Sequence, residues 1–305
     1  MLERGLISAK ELSKKELLAI FEKTKEIKAG KIPSVKGNVA LLFFEPSTRT
    51  FNSFKEAAQK IGCHVMGFAF PKGTSLEKGE SLIDTARMFI GYGAQCIVIR
   101  HPKAGAPLYL REFTGLPVIN AGDNCHEHPT QAVLDCYTIW EAFGRISGLK
   151  IGIMGDLKYG RTPSSLSYAL SNWKVKLYFI APDQLQINRR FDNVIEEIEK
   201  KGIEYELVND YREVISELDV LYVTRIQKER FPDPLEYEKV RGSYRVDPKG
   251  LEGCKERLKI MHPLPRVDEL SPELDSTKHA LYFEQAKNGL YTRMAILSFV
   301  FGDKG

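Results

Sequence analysis

Mostly apolar runs alternate along this chain with segments whose apolar residues recur at helical spacing. Three clear runs lie at 39–44 (VALLFF), 95–100 (QCIVIR) and 149–155 (LKIGIMG). A strand that is apolar at successive positions is buried on both faces, which is typical of a parallel sheet covered by helices on each side. Right-handed crossovers then fix the winding. The sequence therefore predicts an α/β fold, with segment 211–219 (YREVISELD) among its helices.

The length of 305 residues allows about two domains, on a prior of roughly 150 residues each. We predict two doubly wound parallel-sheet domains joined by helices, the first over 1–132 and the second over 133–285. A helix from His128 to Gly144 leads out of the first domain. The apolar last helix, within 286–305, is expected to return and pack on that domain.

Composition excludes several classes of function. Forty-four basic and 40 acidic residues give a net charge of only +4. The sequence has no concentrated basic stripe of the kind that nucleic-acid-binding proteins show, so we predict no nucleic-acid partner. The N-terminal segment lacks a signal-peptide core, and no window approaches 18 uncharged apolar residues, so we predict no membrane span. Five widely spaced cysteines without a CxxC pair indicate reduced thiols and a cytoplasmic protein.

Hydroxyl residues and an arginine follow the first apolar run and open the next helical segment: Ser47, Thr48, Arg49 and Thr50. At a helix N-terminus the first backbone N–H groups lack partners and the helix dipole is positive. The pattern therefore predicts a phosphate site. A second interpretation stays open at this point, because Ser and Thr are ordinary N-caps and a first-turn arginine is often only solvated.

Other polar residues also follow strand ends, where parallel sheets bind ligands. Arg100 closes the run 95–100, and His128 and Gln131 lie in the first turn of the helix that starts near 128. Three residues apart on a helix, His128 and Gln131 share a face. The alternatives are a surface arginine and a histidine that merely caps its helix.

Two cofactor classes have little support in the sequence. Residues 125–128 (CHEH) have metal-ligand side chains, but adjacent residues cannot easily converge on one ion and no second ligand pair stands out, so we predict no metal. Residues 152–160 (GIMGDLKYG) lack the G-x-G-x-x-G spacing of dinucleotide-binding loops. No cofactor is therefore expected.

The second half of the chain has its own candidates. Arg161 opens a helix, where a cation is unfavourable against the dipole unless an anion is bound. Pro263 and Pro265 flank Leu264 after another predicted strand, and prolines there hold backbone carbonyls in a fixed direction. A plain structural turn is an equally good interpretation of that loop.

Seven motifs occur in order along the chain: EPSTRT, TSLEKGE, RHP, HEHPTQ, GDLKYGRT, TRIQKER and HPLPRVDEL. Together they resemble the aspartate and ornithine carbamoyltransferases. The resemblance implies transfer of a carbamoyl group from carbamoyl phosphate to an amine. The last four motifs, with no cysteine of the ornithine-type HCLP motif, favour L-aspartate. The products would be N-carbamoyl-L-aspartate and phosphate, in de novo pyrimidine biosynthesis.

The resemblance also assigns roles to individual residues. Carbamoyl phosphate would be bound by Ser47, Thr48, Arg49, Thr50, Ser75, Arg100, His128, Gln131, Pro263 and Leu264. Aspartate would be bound by Lys78, Arg161, Arg225 and Gln227. Catalysis would use Arg49, Thr50, Lys78, Arg100 and His128, without a metal. Glu45 would pair with Arg161 or Arg230 when the domains close on both substrates.

The family further implies a homotrimer in which the loop containing Ser75 and Lys78 reaches a neighbouring chain's site. That loop is one residue shorter in this chain than in the best-known bacterial enzymes of the family. The alignment of Lys78 with the lysine of those enzymes therefore stays open. A regulatory subunit is a further partner that the resemblance allows. Two alternatives remain: a carbamoyltransferase for another amine, and a non-catalytic relative.

Overall fold

Two parallel sheets organise this protein. The structure is a computed structural model that describes residues 2–190, 192–227, 231, 233–240, 242 and 244–302. For Ser75 and Leu76 it describes only the backbone. The chain divides into one unit of Met1–Leu134 with Asn288–Gly305, and a second of Asp135–Lys287. The predicted boundaries, after 132 and after 285, lie two residues before these divisions.

The first unit is built on a sheet of five strands in the order β1-β5-β4-β2-β3. The strands are β1 (Gly5–Leu6), β2 (Asn38–Phe43), β3 (His64–Phe68), β4 (Cys96–His101) and β5 (Val118–Asp123). Every neighbouring pair is parallel. Residues 39–43 of β2 are all fully buried, as expected for a strand covered on both faces.

Among its described residues, five α-helices begin in the first unit: α1 (Lys14–Lys28), α2 (Thr48–Lys60), α3 (Leu82–Gly91), α4 (Ala106–Thr114) and α5 (Pro129–Phe143). A capping box formed by Ser13 and Glu16 opens α1. The division between the two units falls inside α5. In the returning C-terminal segment, Arg293 Nη1 donates to Ser53 Oγ at 2.9 Å, and Lys28 Nζ donates to Asn288 Oδ1 at 2.7 Å.

The second unit contains another sheet of five strands, in the order β10-β9-β6-β7-β8. Its strands are β6 (Lys150–Met154), β7 (Lys176–Ile180), β8 (Glu204–Val208), β9 (Val220–Val223) and β10 (Lys259–Met261). Its helices are α6 (Arg161–Leu170), α7 (Val194–Lys200), α8 (Pro234–Val240) and α9 (Tyr282–Val300), of which α9 continues into the first unit. All its strand pairs are parallel, so the predicted fold class is confirmed.

One predicted helix is wrong. Segment 211–219 has only a single 3-10 turn, over Tyr211–Glu213, and the next residue, Val214, has a φ of −123°. Asp210 caps that turn, while Val214 and Ile215 are buried. The apolar residues that suggested a helix instead anchor an irregular connection into β9, since β-branched side chains gain little from helical geometry.

Among the described residues, every helix is too short or too polar to span a bilayer.

Each sheet has one point where the chain reverses the direction in which strands are added. In the first sheet this switch lies between β2 and β4, and in the second it lies between β6 and β9. Ligands of open α/β sheets bind beyond the carboxyl ends of the strands at such points. The topology therefore directs attention to the segments that follow these four strands.

Candidate active site

The segment between β2 and α2 forms an open helix N-terminus. Ser47 is the N-cap residue in an extended conformation, and its hydroxyl makes no capping hydrogen bond within the described part of the chain. Thr48 and Arg49 are exposed and Thr50 is buried. A helix N-terminus whose N-cap side chain does not cap it is favourable for binding an anion, because the first N–H groups and the helix dipole point toward the ligand.

Arg100 lies beside this segment, at the other strand of the switch point. It is in register with Phe43, the last residue of β2. Its side chain is only 11% exposed, and Nη2 lies 3.4 Å from Glu45 Oε1. Nη1 donates to the carbonyl oxygen of Ala121 at 3.5 Å. The fold thus places a largely desolvated cation next to the phosphate motif, with Glu45 offsetting its charge.

The loop before His128 is held by the buried carboxylate of Asp123. It accepts hydrogen bonds from the amides of Gly105 and Glu127 and from Asn120 Nδ2, at 2.9, 3.0 and 2.9 Å. His126 Nδ1 donates to it at 3.0 Å, since an ionised carboxylate only accepts. Burial alone would raise the pKa of Asp123, but the hydrogen bonds from His126, Asn120 and Gly105 outweigh it, and the pKa is lowered.

The side chains of CHEH have different partners in the structure. His126 bonds to Asp123, whereas Glu127 accepts from Ser8 Oγ and from the Ala9 amide, the latter at 2.8 Å. Among the described residues, no group of three His, Cys, Asp or Glu side chains is placed to hold a metal ion. Glu127 instead ties the loop to the N-terminal segment.

His128 is 5% exposed and directly precedes α5, so it occupies the predicted position at the helix start. Its Nδ1 lies 3.4 Å from Thr130 Oγ1. The Gln131 amide donates to the His128 carbonyl at 3.0 Å, and both residues are buried in the first turn. Both residues therefore lie on one short stretch of backbone at the start of α5.

The loop motif TSLEKGE forms a 3-10 turn over Ser75–Lys78. Lys78 is exposed on its own chain. The side chain of Ser75 and all of Arg230 lie outside the described residues, so their predicted roles stay predictions. The pairing of Glu45 with Arg161 or Arg230 also stays a prediction; here Glu45 is paired with Arg100.

In the second unit, the loop after β6 presents Arg161 as the first residue of α6, with its side chain buried. The loop is tight: the Tyr159 amide donates to Asp156 Oδ1 at 2.8 Å. A Cβ at Gly160 would lie 2.3 Å from the Asp156 carbonyl oxygen, so only glycine fits there. A buried cation at the positive end of a helix is favoured by an anionic partner.

Arg225 and Gln227 follow β9, which neighbours β6 across the switch point, and both are half-buried. Met154 at the end of β6 pairs with Val223, and the Thr224 amide continues the ladder to the Met154 carbonyl at 2.8 Å. Arg161 and Arg225 therefore come from adjacent strand ends on one sheet edge.

The HPLP loop after β10 is fixed by His262. Its Nδ1 accepts from the Leu264 amide at 2.8 Å, so its Nε2 bears the proton in the neutral ring and donates to Glu269 Oε1 at 2.7 Å. Leu264 has a φ of +57°, and the Leu264–Pro265 peptide bond is cis. Left-handed backbone at a leucine is unfavourable unless its surroundings impose it.

The charge state of Glu269 belongs to the same network. Burial would raise its pKa, but the hydrogen bonds from His262 and from backbone N–H groups outweigh burial and lower it. The backbone N–H of His262 donates to Gln285 Oε1 at 2.7 Å. Gln285 Nε2 donates in turn to the buried carboxylate of Asp135 at 2.7 Å. The loop is therefore held from both of its ends.

The sequence did not predict these supporting residues. Asp123, Asp135, Glu269 and Gln285 bond to partners that only the folded chain brings together. A signal existed for Asp123, because Asn and Asp three residues apart at the end of a strand favour side-chain bonds to the local backbone.

Comparison with known protein families decides the relationship. Residues 4–141 match the family described as aspartate/ornithine carbamoyltransferase, carbamoyl-P binding domain, and residues 147–300 match its Asp/Orn binding domain. The chain belongs to the aspartate/ornithine carbamoyltransferase family. The predicted resemblance is confirmed. Arg49, Arg100 and His128 lie in the first matched domain of this carbamoyltransferase, and Arg161 and Arg225 lie in the second.

Individual members of the carbamoyltransferase family are similar over nearly the whole chain. The aspartate carbamoyltransferase catalytic subunit of Thermococcus onnurineus is 50% identical, over 98% of this chain and 97% of that protein. The catalytic subunit of M. jannaschii aspartate transcarbamoylase is 45% identical, with a TM-score of 0.87 and 99% of each chain covered. The Trypanosoma cruzi enzyme, solved with carbamoyl phosphate and aspartate, is 35% identical, with a TM-score of 0.87 over 97% of this chain and 94% of that chain.

Proposed function

We propose that this protein transfers the carbamoyl group of carbamoyl phosphate to the amino group of L-aspartate, in pyrimidine biosynthesis. The observation that carries the proposal is the placement of arginines at the switch points of both sheets. Arg49 follows β2 and Arg100 lies near the end of β4, whereas Arg161 follows β6 and Arg225 follows β9. The related T. cruzi enzyme, solved with both substrates, supports the same reaction.

Carbamoyl phosphate binds through its phosphate to the N-terminus of α2. The hydroxyls of Ser47, Thr48 and Thr50 supply hydrogen bonds, and Arg49 supplies charge. The open N-cap of this helix supports this assignment. Arg100 acts as a second cation on the same ligand.

The carbamoyl group has polar partners of its own in this proposal. His128 and Gln131, fixed in the first turn of α5, bond to its oxygen and nitrogen. The carbonyl groups of Pro263 and Leu264 accept from its NH2 group. The hydrogen bonds of His262 to Leu264 and Glu269 hold that loop in one conformation, which suits a group that positions substrate.

L-Aspartate binds by its two carboxylates. Arg161 and Arg225 present planar guanidinium groups, which pair with carboxylates in a bidentate manner. Gln227 adds a hydrogen bond. Lys78 adds a positive charge near the reacting groups. A dicarboxylate satisfies both arginines, whereas a monocarboxylate leaves one without its anion.

The reaction needs no covalent enzyme intermediate. The aspartate amine attacks the carbonyl carbon, a C–N bond forms, and the tetrahedral intermediate breaks its C–O bond to phosphate. The departing phosphate takes the proton from nitrogen. Thr50, Arg100 and His128 stabilise the oxyanion, and an electrostatic contribution of this kind is often the largest in such catalysis.

The working assembly in this proposal is a homotrimer in which Ser75 and Lys78 complete the site of a neighbouring chain. Exposure of Lys78 on its own chain supports that arrangement. A regulatory subunit is a further partner in this proposal, because relatives are named catalytic subunits. Five free thiols support a cytoplasmic location.

The experiment is an assay of phosphate release from carbamoyl phosphate with a panel of amines. L-Aspartate is expected to be the preferred acceptor, and L-ornithine and L-asparagine are expected to react poorly. Preference for ornithine would indicate a carbamoyltransferase for a different amine. No release with any amine, from folded protein that still binds carbamoyl phosphate, would indicate a non-catalytic relative.

A further inference from the structure

A buried arginine lies behind the loop that presents Arg161. The side chain of Arg190 is 0% exposed, although it lies in an irregular segment after β7. Its Nε and Nη2 donate to the two oxygens of Asp192 at 2.8 and 2.7 Å. Asp192 is itself 8% exposed. The guanidinium is therefore charge-balanced by one bidentate carboxylate, the geometry that makes a buried arginine tolerable.

The third guanidinium nitrogen of Arg190, Nη1, bonds to backbone carbonyls rather than to Asp192. Nη1 donates to three backbone carbonyl oxygens of the loop after β6: Leu157 at 3.1 Å, Lys158 at 3.1 Å and Gly160 at 2.6 Å. A planar guanidinium holds its N–H groups in a rigid fork, so it fixes the direction of each carbonyl it meets. One side chain thus restrains three of the peptide planes in this loop.

The last of these contacts bears directly on Arg161. The Gly160 carbonyl belongs to the peptide unit that joins Gly160 to Arg161, and a peptide unit is planar. Fixing that carbonyl therefore fixes the plane from which α6 and the Arg161 side chain start. Other hydrogen bonds also hold the loop: the Gly155 amide donates to the Ile180 carbonyl at 3.1 Å, the Leu157 amide donates to the Leu185 carbonyl at 3.2 Å, and the Tyr159 amide donates to Asp156.

We infer that Arg190 is a positioning residue for aspartate binding: by clamping the carbonyls of residues 157, 158 and 160, it aims Arg161 at its carboxylate. This inference rests on the proposed function, because it takes Arg161 to bind L-aspartate. A small displacement of a substrate-binding group costs activity out of proportion to the distance moved. Arg190 touches no substrate in this account, and it acts only through the loop.

A merely structural role has a different signature. If Arg190 serves only to neutralise Asp192, R190M loses stability because a buried carboxylate is left without its cation. The double variant R190M/D192N removes that charge and is expected to regain thermal stability. It does not regain the clamp, since methionine donates no hydrogen bond. The single variant D192N keeps Arg190 and its carbonyl partners.

The experiment measures kcat and the KM values for L-aspartate and carbamoyl phosphate in R190M, D192N and R190M/D192N. We expect the KM for aspartate to rise about tenfold in R190M and in the double variant, with the KM for carbamoyl phosphate within about twofold of wild type. D192N should retain a nearly normal KM for aspartate. Should R190M fail to fold, the charge-balanced double variant carries the test alone.

Two further variants separate the possible failures. D219N removes a buried carboxylate that pairs with Lys255 and Arg257. Asp219 lies at the amino end of β9, at the sheet edge opposite the carboxyl ends of the strands, so D219N should lower stability without changing the KM for aspartate. R161A tests the proposed function itself: an unchanged KM for aspartate there refutes the role of Arg161. If R161A raises that KM but R190M/D192N returns to the wild-type value, the positioning role of Arg190 is refuted and the proposed function stands.

Discussion

Arg100 and Glu45 form an ion pair at the switch point of the first sheet, with 3.4 Å between Nη2 and Oε1. Arg100 belongs to β4 and Glu45 follows β2, so the topology brings together two residues 55 positions apart (100 − 45). The pair matters for anion binding because Glu45, 30% exposed, reduces the positive charge that Arg100 offers.

Glu45→Gln should therefore strengthen carbamoyl phosphate binding in the absence of aspartate. We expect about two- to fivefold tighter binding, corresponding to ~0.5–1 kcal/mol for a partly exposed pair. Isothermal titration calorimetry measures it directly. Glu56→Gln is the matched control, because Glu56 pairs with Lys60 at the far end of α2. Unchanged or weaker binding by E45Q would mean that Glu45 does not oppose the ligand's charge.

Arg49→Ala should remove a contact to the phosphate. The expected loss of transition-state stabilisation is on the order of 3 kcal/mol, as for loss of a strong oxyanion contact, which is a fall of about a hundredfold in kcat/KM. Steady-state kinetics with carbamoyl phosphate varied give the value. Lys60→Ala, on the same helix but at its C-terminal end, should behave like wild type. Normal turnover by R49A would refute the assignment of EPSTRT as the phosphate site.

Glu269→Gln should lower the free energy of unfolding in a pH-dependent way, because Glu269 supports the HPLP loop. The pKa of Glu269 is lower in the folded chain than its usual value, because hydrogen bonds favour the ionised form. Its stabilisation is therefore present above the unfolded pKa of about 4.3 and is lost as pH falls through the folded value. We expect E269Q to lose about 2 kcal/mol of unfolding free energy at pH 7.

The measurement for Glu269 is urea unfolding of wild type and E269Q from pH 7 downward. The difference between the two proteins should be constant to about pH 5 and shrink below about pH 4.3. A difference that does not change with pH would show that the substitution acts through packing rather than charge. KM for carbamoyl phosphate should also rise in E269Q at pH 7, since Leu264 would lose its support.

Arg49→Ala and Lys78→Ala chains should complement each other if sites are shared between chains. Each variant is expected to retain little activity alone. In an equal mixture refolded together, a site needs an intact Arg49 from one chain and an intact Lys78 from its neighbour, which random assembly gives in about one quarter of sites. Activity near that fraction of wild type is predicted. Hybrid trimers visible on native gels without activity would mean that Lys78 serves its own chain.

Much of the fold could be predicted because its signals are local. Leu41 and Leu42 are consecutive and both fully buried, and this pattern has few explanations other than a strand covered on both faces. The same logic located the turn at Ser47, since a helix N-terminus after a strand has a recognisable composition. The carbamoyltransferase motifs occur at just such turns.

The supporting contacts could not be predicted, because they join residues far apart in sequence. Arg190 reaches the carbonyl of Leu157, 33 positions away, and Asp135 bonds to Gln285, 150 positions away. Backbone carbonyls carry no sequence signal at all, so a clamp of this kind has no motif. Helix α8 was missed for a related reason, since Pro234–Val240 is short and mostly exposed and has little periodic apolar pattern.

The division of the two substrates between the two sheets is tested most directly by Arg225→Ala. We predict that its KM for L-aspartate, at saturating carbamoyl phosphate, rises at least about tenfold, because one carboxylate loses a bidentate partner. Its equilibrium dissociation constant for carbamoyl phosphate should stay within about twofold of wild type. Arg212→Ala, which removes an exposed arginine paired with Asp210, is the control in the same unit. Equal losses for both ligands in R225A would contradict the account.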